Sequence, residues 1–124
     1  IKYIDYDQVD TSSEGIKYDS DKPRPSLILR DMPRAMLLAS QIATLGANKY
    51  AESNWLLVEP GIKRYTDAMH RHYLEEAIAT QRGDQTSAIK HAAQVLWNAA
   101  ARLELMVNQV DSEEFQKLIE DLEI

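Results

Sequence analysis

The stretch Gly61-Ile62-Lys63-Arg64-Tyr65-Thr66-Asp67-Ala68-Met69-His70-Arg71-His72-Tyr73-Leu74-Glu75-Glu76-Ala77-Ile78-Ala79-Thr80-Gln81 decides the fold. Read at roughly 100° per residue, Ile62, Tyr65, Ala68, Met69, Tyr73 and Ala77 fall on one apolar arc, and Arg64, Asp67, Arg71 and Glu75 fall outside it. That is the pattern of an amphipathic helix with a face for a core. His72 and Glu76 lie inside the apolar arc. An ionised carboxylate in a core costs on the order of several kcal/mol unless a cation or hydrogen-bond donors meet it. Glu76 therefore needs a partner: a metal ion is the first candidate, and a basic side chain such as Arg71 is the plain structural alternative.

Working outward, Gly83-Asp84 breaks the helix, and Asp84 is placed to cap the next one. From Gln85 to about Val107 the residues Ile89, Ala92, Leu96, Ala99 and Leu103 make one apolar side, as expected of the central helix of a bundle. Asp84, Ser87, His91, Gln94 and Asn98 form a narrow polar stripe along it. A last helix opens at Asp111-Ser112-Glu113-Glu114 and spaces Phe115, Leu118, Ile119 and Leu122 on one face. Towards the N-terminus, Asn54, Pro60 and Gly61 mark a loop. Before that loop a helix starts at Pro33, with Asp31 as its cap, and runs to about Tyr50. It is expected to bury Leu38, Ala39, Ile42, Leu45 and Gly46, with Lys49 on the same arc. Pro23, Pro25 and Pro33 predict an extended or turning course from Lys22 to Met32. Residues 1–15 read as an irregular arm with a short strand at Ile1-Lys2-Tyr3-Ile4, and 16–124 as one all-α domain: a helical bundle, completed by a second chain.

At 124 residues the chain has room for one core and not two. A net charge of -6 without any cluster of Lys or Arg argues against duplex nucleic acid or an anionic membrane as the main partner. No run of about eighteen apolar residues and no signal-peptide pattern occurs, so a soluble, unexported protein is expected. The chain has no cysteine, which rules out thiolate and disulfide chemistry and fits a reducing cytoplasm.

Two constellations carry possible chemistry. His72 and Glu76 face Asp84, Ser87, His91 and Asn98 if the second and third long helices are antiparallel neighbours, as their short connection predicts. Two carboxylates at one end of such a pair suit a hard divalent cation, which takes oxygen ligands and fills its remaining positions with water and substrate phosphate. Against this, Asp84 serves equally as a helix cap. Lys49, Tyr50, Asn54 and Trp55 form the second group, where an aromatic beside an amide suits a nucleobase and Lys49 suits either phosphate or the helix dipole. Arg64 and Arg71 are expected outside, solvated or paired with Asp67 and Glu75. No Gly-rich phosphate loop, serine nucleophile elbow or zinc-binding His-Glu-x-x-His helix is present.

Taken in order, Lys17-Tyr18-Asp19-Ser20-Asp21-Lys22-Pro23-Arg24, Gly46-Ala47-Asn48-Lys49-Tyr50, Asn54-Trp55, Arg64-Tyr65 with Asp67-Ala68, Arg71-His72, Asp84, His91-Ala92-Ala93 and Trp97-Asn98-Ala99 carry a resemblance. They resemble a phage-associated family of dATP/dGTP diphosphohydrolases that includes MazZ-type enzymes and looks related to the all-α MazG-like pyrophosphohydrolases. The resemblance implies hydrolysis of purine (deoxy)nucleoside triphosphates to monophosphate and pyrophosphate on an oligomeric helical bundle in the host cytoplasm, with Mg²⁺ or Mn²⁺ held by carboxylates. Gln81 and Thr86 stand where the family carries glutamate.

On that resemblance Glu76 and Asp84 hold the cation, with Glu75 as a third acid, and Glu76 and His91 belong to the catalytic machinery. Lys49 meets phosphate, Tyr50 or Trp55 the base, and His91 and Asn98 water or sugar, while His72 orients Glu76 or touches phosphate. The alternative is a non-catalytic phage protein that binds and sequesters a nucleotide or a nucleotide-derived signal.

Overall fold

The computed structural model describes residues 15–124, and the expected strand at Ile1–Ile4 lies outside them. The chain forms two compact units that divide after Met36. In the first, a turn closed by the Lys22 N–H on the Asp19 carbonyl leads into a one-turn helix, α1 (Ser26–Leu29). The prolines do not keep this segment extended throughout. Pro25 sits at the N-cap with φ -56°, which suits helix entry, and the backbone N–H of Arg30 closes the turn on the Ser26 carbonyl.

The long helix α2 (Pro33–Lys49) opens with proline in its first position, where the missing N–H is not needed. Met32, rather than Asp31, precedes it and accepts the Met36 N–H at 3.1 Å. The second unit continues with a short 3-10 helix (Asn54–Leu57), then α3 (Gly61–Gln81), α4 (Gln85–Val107) and α5 (Ser112–Asp121). Among the described residues every regular element is helical, so the fold is all-α, with α3 against α4 as its principal packing.

Three contacts fix the direction of that packing. A Cβ built on Gly61 would lie 2.7 Å from Leu105, Arg102 Nε donates to Thr66 Oγ1 at 2.8 Å, and His72 meets His91. Positions rise along α3 as they fall along α4, so the pair is antiparallel. The turn between them is a Schellman motif. Gly83, at φ +73°, donates its N–H to the Thr80 carbonyl at 3.0 Å, and Asp84 donates to the Ala79 carbonyl at 2.9 Å. The Asp84 side chain then accepts the Ser87 N–H at 3.1 Å, so one residue ends α3 and caps α4. Asp111 caps α5 in the same way, accepting the Glu114 N–H at 2.8 Å.

The contact surface is made of small side chains. Among the described residues only Ala79, Ala88, Ala101 and Asn98 are buried. This corrects two expectations. None of the α2 residues predicted for a core is buried, with Leu38 and Leu45 exposed, and on α4 both Ile89 and Leu103 are exposed while Asn98 of the polar stripe is enclosed. Alanine lets two helices approach closely, and that line of approach, rather than the large apolar residues, governs which face turns inward. Glu76 is half-buried on α3. No helix among the described residues is long and apolar enough to cross a membrane.

Candidate functional site

A cavity of about 1060 Å³ opens in the second unit between the end of α2, the 3-10 helix, α3 and α4. Its inner wall is aromatic. The rings of Trp55, Tyr65 and Trp97 meet edge to face in all three pairings, with centroids 5.7–6.1 Å apart. Tyr65 locks the arrangement by donating its hydroxyl to the Trp55 backbone carbonyl at 2.7 Å. Burial pushes the Tyr65 phenol above its ordinary pKa, partly opposed by the Arg64 cation, so the hydroxyl remains a donor at neutral pH.

The same cavity is edged by cations. Lys49, Arg64 and Arg71 all line it, with Asp67 among them. Lys49 Nζ stands 5.2 Å from the centre of the Tyr50 ring, a cation–π approach. Arg64 reaches back to the Glu59 carbonyl at 3.4 Å. Of the two courses expected for Arg64 and Arg71, exposure is the one observed, and the helical pairings with Asp67 and Glu75 do not form. Asp67 pairs with Lys63 at 3.2 Å, and Arg71 makes no ion pair among the described residues. Two guanidinium groups are thus presented beside flat aromatic surface, an arrangement that suits an anion attached to a ring system.

All six side chains expected to contact a nucleotide line this cavity: Lys49, Tyr50, Asn54, Trp55, His72 and Asn98. Arg64 and Arg71 are exposed, as their outward placement on α3 predicts, and they also line the cavity together with Tyr65, Gln94 and Trp97, to which sequence reasoning gave no role. Helical periodicity alone assigns the arginines to solvent, because the cavity lies beside the α3–α4 contact and not beneath it. The motif pairs Arg64-Tyr65, Arg71-His72 and Trp97-Asn98 were the signal that could have found them.

His72 links the cavity to a second cluster. Its Nδ1 lies 3.0 Å from Nδ1 of His91, with ring centroids 5.3 Å apart, and His91 Nε2 is 3.9 Å from Glu75 Oε2. One imidazole must donate and the other accept. Burial, then the neighbouring His91 and Arg71, lower the His72 pKa, with Glu75 acting in the opposite sense. His72 is therefore suited to be the neutral acceptor.

The acids expected to hold a cation stand apart from the aromatic cavity. Glu75 is exposed and faces His91, Glu76 is half-buried one position on, and the Asp84 carboxylate caps α4. None of Glu75, Glu76, Asp84 or His91 lines the cavity, and among the described residues no three His, Asp or Glu side chains gather closely enough to share one metal ion. The donor set is still of the kind a hard cation takes, carboxylate oxygens free of any Lys or Arg ion pair among the described residues.

The second unit is thus an all-α hairpin that carries an aromatic, cation-edged cavity. The family model described as dATP/dGTP diphosphohydrolase, N-terminal, matches residues 12–114, and the chain belongs to that family. No curated protein and no solved structure shows a significant match. The family's name is that of a hydrolase of nucleotide metabolism.

Proposed function

We propose that the protein hydrolyses purine (deoxy)nucleoside triphosphates to the monophosphate and pyrophosphate, with Mg²⁺ or Mn²⁺ as cofactor. The observation that carries this reading is the joining, in one cavity, of the Trp55–Tyr65–Trp97 aromatic wall and the cations Lys49, Arg64 and Arg71. A purine lies against the rings. The phosphates run to the cations, which offset their charge.

Glu76 and Asp84 are the pair that would hold the metal, since Glu75 does not gather with them into a three-residue cluster, and substrate phosphate and water would complete its shell. When bound, the cation supplies charge neutralisation on the phosphates and lowers the pKa of a coordinated water. The protein's own part is to fix the base, align the phosphates and keep the His72–His91 pair beside Glu75, where a proton can be held between the two Nδ1 atoms. The working assembly is a homo-oligomer, because the single chain leaves Leu37, Leu57, Tyr73, Leu74 and Leu103 largely exposed.

The test is turnover. Each of the common ribo- and deoxyribonucleoside triphosphates is incubated with the protein and Mg²⁺ or Mn²⁺, and pyrophosphate and monophosphate are quantified. Release from purine substrates is the expected result. Tight nucleotide binding with no product from any substrate rejects the enzyme and leaves the sequestering protein.

A further inference from the structure

Ser53 lines the cavity with its backbone at φ 61° and ψ 12°, in the left-handed region that residues other than glycine and asparagine enter at a cost. Among the described residues it is the only one besides glycine with positive φ. Its side chain makes no capping hydrogen bond to the 3-10 helix it opens, so nothing local offsets the strain. The two residues that follow, Asn54 and Trp55, both line the cavity. A left-handed turn is therefore built into the wall at the point where the wall begins.

The backbone bonds of this segment are all short-range. Asn54 donates to the Ala51 carbonyl at 3.2 Å, Leu56 to Ser53 at 3.1 Å and Val58 to Trp55 at 3.5 Å, and such bonds travel with the segment wherever it moves. One hydrogen bond ties it to a long helix. The Tyr65 hydroxyl, on α3, donates to the Trp55 carbonyl at 2.7 Å, and among the described residues no other side chain bonds to the backbone from 51 to 58. The rings of Tyr65 and Trp97 meet Trp55 edge to face but make no hydrogen bond to it. The strain of one left-handed residue and the net gain from one hydrogen bond are of the same order. Removing the hydroxyl thus takes away a restraint comparable to the strain it opposes.

Resting on the purine reading above, we infer that Tyr65 is a positioning residue whose hydroxyl holds Asn54 and Trp55 in the binding position against the strained turn at Ser53. Nucleotide affinity then depends on a hydrogen bond that the nucleotide itself does not make. A ligand that needs the wall in place binds more weakly in proportion to the fraction of molecules in which the wall has left it.

The test combines amide hydrogen exchange on the ligand-free protein with binding calorimetry, using dGTP and dATP in Ca²⁺ to suppress turnover. Tyr65→Phe keeps the ring and its contacts and removes only the hydroxyl. Exchange at the amides of residues 54–58 should quicken while α3 and α4 keep their protection, and affinity should fall by about three- to tenfold. Asparagine tolerates the left-handed region, so Ser53→Asn added to Tyr65→Phe should slow that exchange again and recover most of the affinity. Unchanged exchange in Tyr65→Phe overturns the inference, as does lost affinity without faster exchange, or a double variant that recovers neither. Ser53→Asn alone should slow exchange at the same amides, and unchanged or faster exchange there overturns the inference even if Tyr65→Phe does not fold. Failure to bind any purine nucleotide overturns the purine reading, whereas the exchange measurement needs no ligand and still decides the tether.

Discussion

His72 and His91 face one another across the α3–α4 pair with their Nδ1 atoms 3.0 Å apart, a geometry that accommodates one proton between them and not two. The pair lies between the cavity, which His72 lines, and Glu75, which His91 approaches at 3.9 Å. Protonation at this point bears on both packing and site.

The first prediction concerns pH. The folded protein holds a proton on His72 less tightly than a free imidazole at 6.5, because of burial and of His91 and Arg71 beside it, with Glu75 only partly offsetting them. Between the lowered value and 6.5 the unfolded chain binds more protons, so stability rises with pH through that window and is lost as pH falls below 6.5. The urea midpoint should drop between pH 7.5 and pH 5.5 by more than in His72→Asn. Parallel profiles for the two proteins would remove His72 as the cause.

Asp84 gives a prediction that separates its two possible duties. Asparagine caps a helix about as well as aspartate, whereas alanine costs about 1 kcal/mol. Asp84→Asn should therefore retain the stability of the parent while losing most turnover, and Asp84→Ala should lose both. If Asp84→Asn keeps full activity with Mg²⁺ and with Mn²⁺, the carboxylate is a cap and nothing more.

For Glu76 the change to glutamine removes charge at nearly constant shape. Turnover should vanish, with the thermal midpoint held within a few degrees and nucleotide affinity in Ca²⁺ little changed. Activity in Glu76→Gln comparable to the parent would exclude it from the metal site.

Gly83 at φ +73° makes the turn between α3 and α4. Alanine there meets no neighbouring atom but must adopt the left-handed conformation, at a cost of about 1–2 kcal/mol. Chemical denaturation of Gly83→Ala should show that loss, and an unchanged midpoint would contradict the strained-turn account.

The exposed apolar surface predicts self-association. Phe115 and Leu118 on α5 and Leu122 just after its end are all exposed, and Leu118→Glu with Leu122→Glu should lower the mass measured by light scattering if that face joins copies. A monomer for the unaltered chain at micromolar concentration would remove the oligomer from the reading.

The sequence made the span of α3, the extent of α4 and the start of α5 legible, whereas the 3-10 helix Asn54–Leu57 fell in a stretch read as loop. Gly83-Asp84 and Asp111 are local signals, and the 3.6-residue period from Ile62 to Ala77 is unbroken, so short-range chemistry suffices to set those bounds. What it hid was which arc of each helix turns inward. Asn98 is enclosed while Leu103 is exposed, because close approach of α3 to α4 follows Ala79, Ala88 and Ala101, and hydropathy does not weigh shape. The arginines are exposed as expected, and their place on the cavity wall was hidden for a related reason: such a wall is neither core nor open surface, and a two-valued pattern has no symbol for it. The tryptophan of Trp97-Asn98 was visible only as part of a motif, since its partners Trp55 and Tyr65 come from elements far apart in the chain.

The α3–α4 turn leaves no slack in the chain. Asp84 is fastened by its backbone to Ala79 and by its side chain to Ser87, so the phase of α4 about its own axis is set by the last turn of α3. One residue inserted there would rotate α4 by about 100°, carrying His91, Trp97 and Asn98 away together while leaving the helical content intact. The pocket's chemistry is thus inherited as a block: point substitutions retune individual walls, but a change of length in this turn exchanges the entire α4 lining at once.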